Sequence, residues 1–361
     1  MILKRNIENR AIEQCDTMTE PKVGIVILNW NGIEDTLECL KSVFSLRYKN
    51  FEVVVVDNGS IDDSTKIIPK EYPSVSLIEN HTNLGYTGGN NIGMKHALNR
   101  GADYVWLLNN DTVVEKNTLD ALIDEAGKKD DVGLISPLIY HYYESTKVQY
   151  GVCYANVDKF NFIHVPEKKE ANSFLKNKIF VMVGAALLIK KDVIESIGFL
   201  NEKYFAYFED LEYSVRAHKK GFKASVCVNA KILHKESAST GSKNAPFQVF
   251  LRTRNEYFFW SSINSKITNI YFTSTYIAKS IGYAADLRKQ KLIESSDACL
   301  DGLWSGITKK YGAKKDLYMM PSVLRVLFMY HPYFWKKLFE WDLKGISKEI
   351  RIRTLKSAAN A

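Results

Sequence analysis

Asn109-Asn110-Asp111 closes the apolar run Tyr104-Val105-Trp106-Leu107-Leu108, and polar residues so placed can do chemistry. The run is short, bulky and uninterrupted, which predicts a buried strand. In an open α/β sheet, ligands settle in the crevice beyond the carboxyl ends of the strands. A lone carboxylate there can hold a hard cation such as Mg2+, which takes one or two protein carboxylates and completes its shell with water and phosphate oxygens. The alternative is a helix cap, a role that favours Asn and Asp. Two further strand ends weigh against the cap. Lys22 to Leu28 runs into Asn29-Trp30-Asn31-Gly32, and Phe51 to Val56 runs into Asp57-Asn58-Gly59-Ser60. A carboxylate or amide at the second can pair with the N3–H and carbonyl edge of a pyrimidine, and Gly59 lets the backbone turn with positive φ. Asn-Gly alone is a strong turn signal. Three polar strand ends on one sheet edge make the binding reading the better one.

A fourth segment, Asn83 to Gly93, is rich in glycine and asparagine and reads as a turn leading into a helix over 91–99. Its Gly88-Gly89 pair could cradle a phosphate through backbone N–H groups. There is no G-x-G-x-x-G after the first strand and no G-x-x-x-x-G-K-[ST], so dinucleotide and P-loop readings fail.

The elements that must position these loops alternate. Leu37, Leu40, Val43 and Phe44 share a helical face over Glu34–Phe44, and Val75 to Ile78 is a short strand. Such alternation predicts a mostly parallel sheet covered on both faces, an α/β nucleotide-binding domain. Further on, Val132 to Pro137 is a strand end. The aromatic stretch Val148 to Pro166 walls a sugar site or forms a plain hairpin. In Val183 to Ile189, small residues permit close backbone approach. Leu211, Val215 and His218 share a helical face that stops at Gly221, which puts Glu209-Asp210 in the first turn, where the dipole favours negative charge. His234 ends the strand Ala224–Leu233, and Arg252, Arg254 and Asn255 open an aromatic helix. Arginine suits phosphate through its planar donor fork, with a solvated helix face as the equal alternative.

Taken together, Val55 to Asp62, Asn83 to Asn91 and Leu107 to Asp111 resemble glycosyltransferase family 2, most closely its rhamnosyltransferase-like branch, over residues 22–260. The resemblance implies a GT-A fold, a nucleotide-diphosphate sugar donor and a divalent metal, Mg2+ or Mn2+. Where the family often has Asp-x-Asp, this chain has Asn109-Asn110-Asp111, so Asp111 is the charged metal ligand. His234 is expected on the metal or the diphosphate. Asp210 is the implied general base, within the family's Glu-Asp motif formed with Glu209. Donor contacts are expected from Asn29, Asn31, Asp57, Asn58, Gly59, Asn83, Gly85, Gly88, Asn90, Asn109, Asn110 and Gly184, with Arg252 and Arg254 on a donor or acceptor diphosphate. The expected reaction is inverting transfer to a hydroxyl of a glycan acceptor, lipid-linked, in cell-surface polysaccharide synthesis. The style of the 83–91 loop favours dTDP-L-rhamnose as donor. UDP-linked N-acetylglucosamine, galactose or galactofuranose is the alternative, and a non-catalytic nucleotide-sugar-binding protein is the competing class.

Composition bounds the rest. Five scattered cysteines argue against a disulfide framework or a zinc site and for a reducing compartment. The first residues lack the apolar stretch of a signal peptide. Residues 251–361 hold 19 Lys and Arg against 9 Asp and Glu, while the first 250 hold 30 against 32, so the net charge of +8 comes wholly from the last third. Pro321 to Tyr330 and Tyr333 to Trp341 mix aromatics with bases, which suits a helix lying in a lipid interface. A homodimer contact through the same face is the alternative. No run reaches the ~20 apolar residues of a spanning helix, and no nucleic-acid recognition module appears. The expected organisation is a leader (1–20), a catalytic domain (21–260, its nucleotide-binding half 21–115 and its acceptor half 116–260) and a helical basic-aromatic region (261–361). The expected location is cytoplasmic, peripheral on the inner face of the plasma membrane.

Overall fold

The computed structural model describes residues 20–157, 159–165, 178–236, 244–263, 266–313 and 319–335. The leader over 1–19 and the basic segment from 336 onward lie outside the described residues. The first half alternates as its sequence pattern predicts: β1 (Val23–Asn29), α1 (Ile33–Val43), β2 (Phe51–Asp57), α2 (Ser64–Glu71), β3 (Ser76–Glu79), α3 (Gly85–Asn99) and β4 (Tyr104–Asn109). After the Asn110-Asp111 turn come β5 (Thr112–Val114), α4 (Thr118–Gly127), β6 (Val132–His141), β7 (Val148–Tyr150), β8 (Val152–Asn156), β9 (Asn161–Val165), β10 (Lys178–Val181) and β11 (Ala186–Lys190). Then follow α5 (Lys191–Ile197), α6 (Glu209–Lys219), β12 (Lys223–His234), α7 (Pro246–Ile263), α8 (Lys266–Lys289), α9 (Ile293–Ile307) and α10 (Ser322–Tyr330).

The main sheet has nine strands, ordered β3-β2-β1-β4-β11-β6-β12-β5, with β7 on β6. Strands β3, β2, β1 and β4 are parallel, β11 runs against β4 and β6, and β12 is parallel to β6 but antiparallel to β5. Both faces are covered, as parallel strands require. One face packs Val23, Ile25 and Ile27 against Leu40 and Val43 of α1 and Leu119 and Leu122 of α4. The other packs Val26, Val54 and Val56 against Met94 and Ala97 of α3, and continues to Val193 and Tyr213.

Two expectations change. The segment 83–93 is not a turn for most of its length: α3 begins at Gly85, not at 91. Glycine costs a helix roughly 1 kcal/mol relative to alanine, yet these glycines are what let α3 lie on the sheet. A Cβ on Gly89 would stand 2.3 Å from Leu28 Cδ1, and one on Gly93 2.3 Å from Val26 Cγ1. Of the two readings for 148–166, the hairpin is the one observed. Strands β8 and β9 pair antiparallel, and β10 joins the other edge of β8. Phe160 and Phe162 from this hairpin pack on Trp260, not on a sugar site.

Helices α7 to α9 form a layer whose core includes Phe259, Trp260, Phe272, Tyr276, Leu300 and Leu303. The apolar stretch 267–285 lies within α8 and contributes to this core. No described helix is long and apolar enough to cross a membrane.

Candidate active site

Parallel pairing aligns the polar strand ends. Asn29 stands opposite Asp57, and Leu28 opposite Asn109, so the loops after β1, β2 and β4 share one sheet edge. The reversed strand β11 begins opposite Leu108, and the Asn109 N–H donates to Ala185 O at 2.9 Å. That pairing carries Val183-Gly184-Ala185 to the same edge. The end of β12 pairs with β5, placing His234 opposite Thr112 and therefore beside Asp111.

Asp111 and His234 meet: Asp111 Oδ1 lies 3.3 Å from His234 Nε2, with both side chains buried. Adjacent ligand atoms each held roughly 2.1 Å from one ion stand about 3 Å apart, so a carboxylate and an imidazole at this spacing fit a shared divalent cation. The chemistry of the pair fits as well, since Mn2+ accepts oxygen and imidazole nitrogen. Among the described residues there is no group of three or more His, Cys, Asp or Glu able to hold a metal. The pair would therefore need oxygens from ligand and water, as Mg2+ sites commonly do. On its far side, His234 Nδ1 lies 2.8 Å from Gln149 Oε1, and Gln149 Nε2 donates to Glu236 Oε2 at 3.0 Å. The next residue, Lys235, donates its backbone N–H to Asp111 O and ties α1 to this corner through Asp35 (2.5 Å) and Glu38 (2.6 Å).

The second acid pair opens α6. Asp210 is half-buried, and its two oxygens accept from Gly184 N–H (2.7 Å) and Leu211 N–H (2.8 Å). Burial raises its pKa above the ordinary range, and those N–H groups pull it back. Glu209 is buried, with its Oε2 unpartnered among the described residues. Burial and then the Asp210 charge push its pKa well above the usual range. Gly184 must be small: a Cβ there would lie 3.1 Å from the Tyr86 hydroxyl and 3.3 Å from Asp210 Cβ.

Two tyrosines, which no local sequence signal marked, connect the acids. Tyr86 donates to Gly184 O at 2.7 Å, and after burial its pKa is raised by Glu209, Asp210 and Asp111 together. The Tyr150 hydroxyl is pushed up to about 12 by burial, then by Glu236, and Asp210 adds to the rise while Arg252 opposes it. Asp111 and the Glu209-Asp210 pair thus both act on Tyr86. Arg252 stacks over the Tyr207 ring at 4.8 Å.

Several expected donor contacts are braces in the structure. Asn29, fully buried, spends Nδ2 on Asp57 (2.7 Å) and Oδ1 on Thr36 (2.8 Å). Asn58 donates to Asn83 Oδ1 and Gly85 O and accepts from Asn80 and the Leu84 N–H, so it is a buried hub rather than a ligand contact. Asn83 also caps the Gly85 N–H, and Asn90 donates to Tyr86 O within α3. Gly88 lies in the second turn of α3, and the Phe205 carbonyl accepts from the Thr87 N–H at 3.1 Å at the helix start, so the Gly88-Gly89 phosphate cradle is not formed. Gly85 (φ +74) has the Phe205 ring and carbonyl where a Cβ would go. Arg254 is also corrected. It is fully buried and holds the Tyr204 and Gly312 carbonyls, so it cannot reach a diphosphate. Asp57 is buried as well, its oxygens accepting from Asn29 and the Ser60 N–H (2.9 Å) with carboxylate lone pairs to spare, and Gly59 (φ +77) lies close by at the sheet edge. Exposed Asn31 accepts from the Ile61 N–H, half-buried Asn110 donates to Thr36, and Asn109 is half-buried.

Comparison with solved structures gives the class. The chain superposes on GalNAc-T7 in complex with UDP, GalNAc and Mn2+ with a TM-score of 0.58 at 16% identity, covering 82% of this chain and 59% of that one. The fold is GT-A. Residues 24–198 match the family model described as Glycosyl transferase family 2, and together with a hexosyltransferase relative this match marks the protein as a glycosyltransferase. A low-salt glycan biosynthesis hexosyltransferase of Haloferax volcanii is 26% identical over 296 residues, 80% of this chain and 92% of that protein. An N-acetylglucosaminyl-diphospho-decaprenol L-rhamnosyltransferase of Mycobacterium tuberculosis is 26% identical over 208 residues, 52% of this chain and 68% of the relative.

Proposed function

We propose that this glycosyltransferase moves a hexose, with inversion, from a nucleotide-diphosphate sugar to a hydroxyl of a lipid-linked glycan acceptor in cell-surface polysaccharide synthesis, with L-rhamnose from dTDP-L-rhamnose as the first candidate donor. The observation that carries the reading is the placement of two acid pairs around Tyr86: Asp111 with His234, and Asp210 on the Gly184 N–H. A divalent cation bound at Asp111 and His234 would supply Lewis-acid stabilisation of the departing diphosphate. Asp57 and the neighbouring loop backbone orient the base of the donor, and Arg252 offers a planar fork to phosphate oxygens. Asp210 takes the proton of the acceptor hydroxyl as the acceptor oxygen bonds to the anomeric carbon. The bond from that carbon to the diphosphate oxygen breaks, and its electron pair leaves with the nucleotide. This is one displacement, hence inversion, by the logic of inverting glycoside hydrolysis with a sugar hydroxyl in place of water.

The relatives support a glycan role, since one is named for glycan biosynthesis and another acts, by its name, on a diphospho-decaprenol-linked sugar. The mixed aromatic and basic C-terminal region would place the active site at the lipid surface that carries such an acceptor. The test is release of nucleoside diphosphate and glycosylation of a polyprenyl-diphospho-N-acetylglucosamine acceptor. It compares dTDP-L-rhamnose with UDP-N-acetylglucosamine, UDP-galactose and UDP-galactofuranose, each with Mg2+ or Mn2+. Turnover with a UDP-sugar alone reassigns the donor, and donor binding without turnover on any acceptor points to the non-catalytic class. Asp111→Ala should weaken Mn2+ and donor binding together, by about 10-fold or more, as read by calorimetry. Unchanged affinity for both would remove Asp111 from the metal site.

A further inference from the structure

The ring of His234 is held from behind by a two-residue device with a definite polarity. Glu236 Oε2 accepts from Gln149 Nε2 (3.0 Å), and its other oxygen accepts from the Tyr150 hydroxyl (3.4 Å). A carboxylate can only accept, so the Gln149 amide has one permitted orientation: NH2 toward Glu236, Oε1 toward His234. That oxygen lies 2.8 Å from His234 Nδ1. An amide oxygen can only accept, so Nδ1 must carry a hydrogen. In the neutral ring, Nε2 is then left with a bare lone pair, aimed at Asp111 Oδ1 from 3.3 Å. Two acceptors facing each other at that distance repel unless a proton or a metal cation stands between them, and either way Nδ1 keeps its hydrogen and Nε2 is the nitrogen open to the cation.

We propose that Gln149 and Glu236 are positioning residues that fix the tautomer of His234, so that Nε2 is always presented to the cation as a lone pair. The inference rests on His234 as a metal ligand and adds what makes it one. Gln149 meets the ring at Nδ1, the nitrogen away from Asp111, and Glu236 stands behind Gln149. Gln149 is the middle residue of β7, which pairs with β6, and Glu236 lies two residues beyond β12 with a positive φ of 58°. A side-chain partner on the non-ligating nitrogen commonly sets ring orientation and basicity at metal sites, and its loss costs about 10–100-fold in metal affinity.

The test uses the full chain. Nitrogen-15 NMR of the His234 ring in metal-free protein, recorded at a pH where the ring is neutral, should show hydrogen on Nδ1 and none on Nε2. Mn2+ affinity, read by electron paramagnetic resonance of the free ion, should fall about 10–100-fold in Gln149→Met and in Glu236→Gln. In the latter the Gln149 amide is free to flip, and the NMR should show the Nε2-protonated tautomer appearing. The double exchange Gln149→Glu with Glu236→Gln reinstates the polarity, because a carboxylate at 149 can accept from both the ring and the new amide. It should recover the tautomer and most of the affinity, which a merely structural role would not predict. His234→Ala separates the two levels. If it leaves Mn2+ binding intact, His234 is not a ligand and the site reading fails. If it weakens binding while both single variants and their exchange match wild type, the ligand stands and the tautomer inference is overturned. A neutral wild-type ring with hydrogen on Nε2 and none on Nδ1 overturns it directly.

Discussion

Asp210 holds a half-buried carboxylate between two backbone N–H donors, whereas the carboxyl of Glu209, one residue earlier, is turned into the protein. The two should therefore respond differently to amide substitution. Asp210→Asn removes the proposed base and should lower kcat by about 10²–10⁴-fold while donor affinity stays within a few-fold. Near-normal turnover would end the base assignment. In the wild type, activity should fall as pH drops through a pKa raised above the ordinary aspartate range by burial. Burial pushes the Glu209 pKa well up and so favours the neutral acid, with which Gln is nearly isosteric, so Glu209→Gln should keep turnover within about 10-fold. Its signature lies in stability. A carboxyl whose folded pKa is raised binds a proton that the unfolded chain releases, so its contribution is full below the unfolded value and is lost as pH rises through the folded one. Calorimetry of Glu209→Gln should show a Tm advantage over wild type that is absent near pH 4 and grows toward pH 8. An advantage that shrinks as pH rises would mean that Glu209 is ionised in the folded protein.

The element that brings Asp210 to the site is the crossing from Leu200 to Phe208, and it is held under strain. Phe205, Tyr207 and Phe208 all have positive φ, at 66°, 71° and 71°, a conformation costly for bulky residues. What holds it is α7: buried Asn255 donates to the Tyr204, Ala206 and Tyr207 carbonyls, and Arg254 to Tyr204 O. Asn255→Leu leaves these carbonyls short of a donor, at about 1–3 kcal/mol for an unsatisfied buried group. It should lower Tm and cut kcat more than KM, because a misplacement of the base by 1 Å can cost about 10²-fold. Equal kcat in the fraction that remains folded would separate the brace from the chemistry. The sequence displays Arg252, Arg254 and Asn255 as one polar cluster, and nothing local tells a guanidinium that will meet phosphate from one that will meet carbonyls. The strand ends were legible because each is a polar signature on an apolar run, and parallel pairing then collects them without further information. The start of α3 was not legible. Glycine and asparagine are poor helix formers, and only the closeness of Leu28 and Val26 explains why small residues belong there. Nor did Tyr86 or Gln149 carry a signal, since their roles exist only once β11 and β12 have been laid beside β4 and β5.

At the scale of the molecule, catalytic sheet and C-terminal helices differ in charge and in what they leave uncovered. On α10, Arg325 turns inward to Asp297 and Asp301, while Val323, Val326 and Tyr330 stand 80%, 67% and 78% exposed. Tyr333 and Phe334 continue the exposed row. The same third of the chain holds 19 basic against 9 acidic residues. Apolar area of this kind is costly in water and favourable at the headgroup boundary, where each nearby Lys or Arg adds about 1 kcal/mol on an anionic surface. The proposed lipid contact therefore predicts binding to vesicles of phosphatidylglycerol and phosphatidylcholine that weakens as salt rises and is lost on phosphatidylcholine alone. Val326→Asp with Tyr330→Asp should reduce that binding by about 10-fold or more, given about 1.5–3 kcal/mol for each large apolar side chain no longer inserted. Turnover with a short-chain soluble acceptor should be unchanged, because the groups placed around Tyr86 come from other elements, and turnover with a long-chain polyprenyl acceptor in vesicles should fall with the binding. If the double variant binds vesicles as wild type does but loses self-association in light scattering, the face joins two copies of the chain, and the acceptor must reach Asp210 by another surface.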